Sequence, residues 1–146
     1  MLTLAETKRT FWICFIFTLI FVILGIISLL KCFTSTLGFL GAVWFLQLFL
    51  MLLFAYYGII YYPCNEVLIY ILFLLGLLFA TMWVFGLVNK NLMFSNLSLV
   101  VALIFTICLI YLSPYKVQVL GVLSILIWLF LFYYINLCSN NVFTVK

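Results

Sequence analysis

Charged residues divide this chain into long apolar intervals. The uncharged stretches are residues 10–30, 32–65, 67–89, 91–115 and 117–145, with lengths of 21, 34, 23, 25 and 29 residues. An α-helix rises about 1.5 Å per residue, so about 20 apolar residues cross a hydrocarbon core about 30 Å thick. Each interval therefore predicts one transmembrane helix. We place the five helices at about 11–30, 37–62, 67–88, 93–112 and 116–137.

The apolar intervals favour helices over the strands of a membrane barrel. Barrel strands alternate apolar and polar residues over about 10 positions, whereas stretches such as 21–30 and 68–80 are apolar on both faces. A helix also satisfies its backbone hydrogen bonds within one segment, as lipid requires. The sequence predicts an all-α, polytopic membrane helix bundle, folded as a single domain over residues 1–146.

The predicted breaks contain the turn-forming residues of the chain. Its two prolines, Pro63 and Pro114, both lie between predicted helices, where the loss of a backbone donor costs least. Lys90 lies between two asparagines and is predicted to be the polar tip of a short hairpin. The first apolar run is too long for a cleaved signal peptide, so we expect a retained helix.

Composition and aromatic placement support the membrane assignment. Charged residues make up 5% of the chain and the mean hydropathy is +1.54, whereas soluble domains carry about 25% charged residues. Aromatic residues crowd the predicted helix ends and indicate a membrane-interface belt. Its members are Phe11, Trp12, Tyr61, Tyr62, Trp83, Phe85, Tyr111, Tyr115, Tyr133 and Tyr134. The net charge of +4 is scattered along the chain, so we expect no nucleic-acid partner.

The positive residues are divided equally between the two predicted sides of the membrane, so they say little about the chain's orientation. Five helices place Lys8, Arg9 and Lys116 on one side and Lys31, Lys90 and Lys146 on the other. Cytoplasmic loops carry an excess of lysine and arginine, and here the count is three against three. The adjacent pair Lys8 and Arg9 favours a cytoplasmic N-terminus.

The chain lacks the residues that most catalytic and metal sites need. It contains no His and no Asp, and its two carboxylates, Glu6 and Glu66, fall in the N-terminal tail and in a loop. Acid–base pairs, Ser-His-Asp triads and carboxylate or imidazole metal sites therefore lack parts. We predict no enzyme activity, no catalytic residues, no metal site and no cofactor.

The five cysteines are widely spaced and contain no C-x-x-C pair. This spacing does not support a dithiol relay or a thiolate metal cluster. Cys14 and Cys108 are interpreted as small apolar residues within helices. The positions of Cys32 and Cys138, at helix ends on one predicted side, allow palmitoylation or a disulfide, but we expect neither.

Two polar residues of the predicted helices allow alternative roles. Gln47 is the most polar residue in the interior of a helix, and it either hydrogen-bonds a neighbouring helix, which we favour, or lines a pore. Glu66 opens the third helix, where a carboxylate is favoured at the positive N-terminal end, so we interpret it as a cap and not as a proton carrier.

Small residues recur at four-residue spacing and predict close helix packing. In lipid such stripes let two helices approach closely. We therefore expect a Leu substitution at Gly38 or Gly76 to disrupt packing. The candidate packing residues are Gly38, Ala42, Gly76, Ala80, Ser98, Ala102 and Thr106.

These sequence observations leave two main functional classes. The first, which we favour, is a non-catalytic structural, accessory or assembly subunit of a larger membrane complex, whose partners are lipids and other transmembrane helices. The alternative is a small homo-oligomeric channel or transporter with an uncharged path, lined by Gln47, Thr81 and Thr106. Absence of charged residues inside the helices weighs against transport. A lipid-modifying or quinone-linked enzyme would need chemistry from a bound cofactor or a partner.

Overall fold

The predicted five-helix bundle is confirmed by a computed structural model, which describes residues 3–30 and 35–137. Within these ranges the chain forms helices and turns and no strand. The helices are α1 (Leu4–Leu30), α2 (Ser35–Tyr61), α3 (Glu66–Val88), α4 (Leu92–Tyr111) and α5 (Tyr115–Leu137), with a short 3-10 turn at Pro63–Asn65 before α3.

The first helix begins at Leu4, about seven residues before the predicted start near residue 11. A capping box explains the early start: the Thr3 amide donates to Glu6 Oε1 at 3.0 Å, and the Glu6 amide donates to Thr3 Oγ1 at 3.2 Å. Lys8 and Arg9 therefore lie on a helix and not in a tail. The other observed helix ends lie within two residues of the predicted positions.

The turn between α3 and α4 contains Lys90, as predicted, and is a compact cap. The Lys90 amide donates to the Leu87 carbonyl at 3.1 Å and the Asn91 amide to the Gly86 carbonyl at 2.9 Å, which is the Schellman pattern. Lys90 has a φ of 60°, the left-handed conformation that glycine usually occupies there. The Asn91 side chain then caps α4 by accepting from the Phe94 amide at 3.1 Å.

Helix α2 is the centre of the bundle and packs against each of the other four helices. Half of its most apolar stretch is buried, more than in any other of the five helices. Leu48, Met51, Phe54 and Ala55 are fully buried and form much of the core. Ser113, in the α4–α5 turn, donates to the Phe54 carbonyl at 3.1 Å, so the turn is attached to α2 as well.

Trp83 lies in the core, so its predicted membership of the interface belt is wrong. Its side chain is 1% exposed, and its ring packs edge-on against Trp128 with the centroids 6.2 Å apart. Trp44, the third core tryptophan, is also 1% exposed. Tertiary packing decides this placement: near the end of α3 the Trp83 ring turns inward, where it meets Trp128 of α5.

The charged residues that the structure describes lie at the ends of the helices. At the end that carries the starts of α1, α3 and α5, here called the N-terminal end, Arg9 and Glu66 form an ion pair at 4.0 Å. Four residues discussed above lie outside the described ranges: Lys31, Cys32, Cys138 and Lys146. The expectations for Cys32 and Cys138 therefore fall on residues that the structure does not describe.

The length and apolar composition of all five helices indicate a multi-pass membrane protein. Large apolar side chains cover their outer faces, including Ile20 and Ile23 on α1 and Leu126 on α5. Such faces suit contact with lipid tails or with other transmembrane helices.

We predict that Lys90→Gly stabilises the protein. A left-handed non-glycine residue costs about 1 kcal/mol, and glycine removes that cost while keeping both backbone hydrogen bonds of the cap. The measurement is the thermal midpoint in detergent, which should rise. Lys8→Gly is the matched control, because glycine inside a helix lowers stability by about 1 kcal/mol. A midpoint for Lys90→Gly below that of the wild type would contradict the interpretation.

Candidate functional site

Two polar side chains of α2 form hydrogen bonds to neighbouring helices. The Trp44 indole donates to the Ala80 carbonyl of α3 at 3.1 Å. Gln47 is fully buried, and its Nε2 donates to Ser124 of α5, to the hydroxyl at 2.5 Å and to the carbonyl at 3.2 Å. Both bonds lie inside the bundle, where hydrogen bonds between helices stabilise association. Gln47 therefore joins α2 to α5.

Helix α4 is linked to its neighbours in the same way. The Ser95 hydroxyl donates to the Trp83 carbonyl of α3 at 3.2 Å. The Thr106 hydroxyl accepts from the Trp128 indole of α5 at 3.1 Å, and it donates to the Ala102 carbonyl of its own helix at 2.8 Å. One threonine hydroxyl thus satisfies a buried indole and a backbone carbonyl together.

Five of the candidate packing residues are buried on α3 or α4, Thr106 among them. A Cβ at Gly76 would lie 2.5 Å from the Met51 Cε of α2 and 3.5 Å from the Phe105 Cβ of α4, so a leucine there has to displace the buried end of Met51. Ala80 is fully buried one turn further along α3, and Ser98 and Ala102 are buried on α4. At Gly86 the two helices lie backbone to backbone, because a Cβ there would lie 2.9 Å from Ser95 backbone atoms.

The stripe on α2 faces outward instead. Ala42 is exposed and Gly38 is half-buried. Together with Gly41 they line an apolar groove between α1 and α2, whose volume is about 380 Å³. Ile26 and Phe45 form part of its walls. This surface is called the α1–α2 groove below.

The candidate path residues Gln47, Thr81 and Thr106 are all buried within the bundle. Thr81 donates to the Leu77 carbonyl of its own helix at 2.9 Å, and the other two form the bonds between helices described above. Their side chains are surrounded by packed apolar residues and tryptophan rings. All three side chains therefore lie in the packed interior of the described bundle.

A few buried polar atoms have no hydrogen-bond partner among the described residues. They are Thr10 Oγ1, Gln47 Oε1, Tyr70 Oη and Trp83 Nε1. Thr10 and Tyr70 belong to α1 and α3 near the N-terminal end. Leaving a buried polar atom unpaired costs free energy, so these atoms do not add to stability.

The nucleophilic and acidic groups of the described chain do not form a catalytic cluster. Cys14 is buried in the core, whereas Cys64 is exposed in the 3-10 turn and Cys108 is half-buried on α4. Glu66 is held in its ion pair with Arg9. Over residues 3–30 and 35–137, no three His, Cys, Asp or Glu side chains come together as a metal site would require.

A cavity of about 490 Å³ opens at the N-terminal end, between the end of α2 and the start of α5. We call it the tyrosine–lysine groove; its lining residues are Tyr57, Tyr61, Pro114, Tyr115, Lys116, Val117 and Leu120. Its volume lies in the range of small-molecule sites, which are about 300 to 1,000 Å³. It combines one ammonium group and three phenols with an apolar floor.

Sequence reasoning identified parts of this groove but not their grouping. Tyr61 and Tyr115 are predicted members of the interface belt, and Lys116 is a predicted boundary charge, but Tyr57 is in neither set. In the sequence, the four-residue spacing of Tyr57 and Tyr61 predicts that both rings lie on one face of α2. Only the packing of α2 beside α5 shows that this face meets Lys116.

Comparisons with protein-family models, curated proteins and solved structures found no match for this chain. The function must therefore be inferred from the geometry of the bundle. The described surface carries three grooves. The α1–α2 groove is apolar, and so is a groove of about 520 Å³ between α3 and α4 that Leu68, Leu72 and Ile107 help to line. Of the three, the tyrosine–lysine groove is the one lined by a charged residue.

We predict that Thr106→Val destabilises the bundle by roughly 1 kcal/mol, a typical value for a hydrogen bond between membrane helices. The valine has a similar shape but leaves the buried Trp128 indole without its acceptor. Thr18→Val is the matched control, because the buried Thr18 hydroxyl donates only to the Cys14 carbonyl of its own helix and joins no neighbouring helix, so its removal should cost less. Reversible unfolding in detergent measures both changes. Equal losses in the two variants would show that the Thr106–Trp128 bond contributes nothing.

Proposed function

We propose that this protein is a non-catalytic subunit or assembly factor of a larger membrane complex. Its contribution is the lateral surface of a rigid helix bundle, on which helices of other subunits pack. Three features support the proposal: the filled interior, the apolar outer faces and the outward-facing small residues of α2.

The distribution of polar side chains is the observation that carries the proposal. Ten polar side chains of the described residues are buried, and most of them are bonded to backbone or side-chain groups of the bundle. The exposed residues in the central parts of the five helices are apolar. A protein with polar groups inside and apolar groups outside presents contact area to lipid or protein, and no solvated path.

The same distribution weighs against a homo-oligomeric channel. A pore through one copy would have to displace the packed tryptophans and the Gln47–Ser124 bond. A pore between copies would be lined by the apolar outer faces, such as Ile104 and Ile107 of α4 or Val122 and Leu126 of α5. Water leaves such purely apolar constrictions, so they close and do not conduct.

The α1–α2 groove is the surface on which we place the partner helix. Gly38, Gly41 and Ala42 lack bulky side chains, so another backbone can approach α2 closely there. Close approach increases dispersion contacts between helices, which is a main driving force for association in lipid. The grouping of three small residues beside the larger walls of α1 gives the groove its depth.

We predict that the tagged full-length protein, purified gently from its own membrane, is recovered with other subunits at fixed stoichiometry by native mass determination. Ala42→Leu should reduce this recovery at least several-fold, because it fills the α1–α2 groove from an exposed position without entering the core. Val122→Phe is the matched control: it adds comparable bulk to an exposed site on α5 and should leave recovery unchanged.

Two results would contradict the proposal. One is recovery as a symmetric oligomer of this chain alone that conducts ions in liposomes, which would establish the channel alternative. The other is recovery as a monomer with no bound subunit under conditions that preserve other membrane complexes.

A further inference from the structure

We propose that the tyrosine–lysine groove binds one anionic phospholipid. In this arrangement the ammonium group of Lys116 pairs with the headgroup phosphate, and the tyrosine hydroxyls of the rim donate hydrogen bonds to it. The first part of an acyl chain follows Val117 and Leu120 into the hydrocarbon core. This inference does not depend on the proposed subunit function.

The groove spans the depth at which a phospholipid changes from polar to apolar. Lys116 is the second residue of α5, and Leu120 lies four residues deeper, a distance of about 6 Å along the helix. Tyr57 and Tyr61 show the same one-turn separation on α2. Polar groups at the rim and apolar groups one turn below match a headgroup joined to its acyl chains.

Charge complementarity selects an anionic headgroup. The described carboxylates lie elsewhere: Glu6 is in the capping box of α1, and Glu66 is paired with Arg9. Lys116 is exposed and has no carboxylate within 4.0 Å among the described residues. Its ammonium is therefore available to an external anion, and basic pockets between transmembrane helices are typical sites for anionic headgroups.

The rim side chains are also available for binding. Tyr61 is 48% exposed and Tyr115 is 83% exposed, and neither phenol is hydrogen-bonded to another described residue. Pro114 fixes the backbone at the start of α5. The Gln118 side chain donates to the Ile110 carbonyl at the end of α4 at 3.3 Å and to the Ser113 carbonyl of the turn at 3.2 Å. The groove is therefore held by the bundle before a ligand arrives.

An acyl chain distinguishes this occupant from a free phosphate ion. A site for inorganic phosphate would surround the anion with donors, as in backbone anion nests. Here the lining is mostly apolar and includes Pro114, Val117 and Leu120 beside the three tyrosines. The α1–α2 groove provides an internal comparison, because it has similar dimensions but no charged lining residue.

The experiment is a lipid titration of the full-length protein in detergent, followed by native mass spectrometry. Phosphatidylglycerol and phosphatidylcholine with identical acyl chains are compared. We expect the first phosphatidylglycerol to bind several-fold more tightly than phosphatidylcholine. Lys116→Gln should weaken that first binding step about five-fold, as expected for one lysine at a membrane surface. Tyr61→Phe, which removes a single hydroxyl, should weaken it by a smaller factor.

Lys8→Gln is the matched control, because Lys8 has the same charge and lies at the same end of the bundle but outside the groove. It should leave the first binding step unchanged. Equal affinity for the two lipids, or equal losses for Lys8→Gln and Lys116→Gln, would overturn the proposal. Displacement of the lipid by millimolar inorganic phosphate would also overturn it, because the site would then recognise a free anion.

Discussion

The structure depends on the requirement that polar groups inside a membrane find partners within the protein. No water reaches the hydrocarbon core, so an unpaired donor or acceptor there carries most of its desolvation cost. Helix α2 meets this requirement by bonding outward to its neighbours: Trp44 to α3 and Gln47 to α5. These bonds fix which face of α2 meets each helix, and the apolar side chains pack around that arrangement.

The hydrogen-bonded interior determines where function can reside. With Gln47, Thr81 and Thr106 enclosed by packed residues, we propose that the centre of the bundle contributes rigidity and not a path. Interaction is left to the outer faces and to the ends of the helices. There the two grooves differ in chemistry: the α1–α2 groove suits another apolar helix, and the tyrosine–lysine groove suits a charged amphiphile.

The sequence predicts the fold well because lipid imposes a length on each helix and excludes charge from it. Charge positions and prolines therefore located four of the five helices to within two residues at both ends. The start of α1 differs from its prediction because the helix continues through the charge pair Lys8 and Arg9, which marks the boundary of the apolar interval. The pattern Thr3-Leu4-Ala5-Glu6 is the sequence feature that fits the observed capping box.

The sequence does not show which face of each helix is buried. A helix that is apolar on all faces has no polar stripe to show which side is buried. Gly38 and Gly76 belong to the same kind of small-residue stripe, yet one lines an outer groove and the other contacts Met51 in the core. Trp83 shares its position near a helix end with belt residues such as Phe85, but only Trp83 turns inward. Packing between helices decides these cases.

The central claim is that a hydrogen bond between Gln47 and Ser124 joins α2 to α5 in the interior of the bundle. A double-mutant cycle tests it most directly, with unfolding free energies in detergent measured for Gln47→Met, Ser124→Ala and the double variant. The cycle cancels the loss of the unpaired Gln47 Oε1 atom, because Gln47→Met removes that atom both with and without the Ser124 hydroxyl. Ser124→Ala keeps the backbone carbonyl that Gln47 also contacts, so the coupling reports the bond to the Ser124 hydroxyl. The account predicts a coupling free energy of about 0.5 to 2 kcal/mol between the two positions. Strictly additive losses would contradict it.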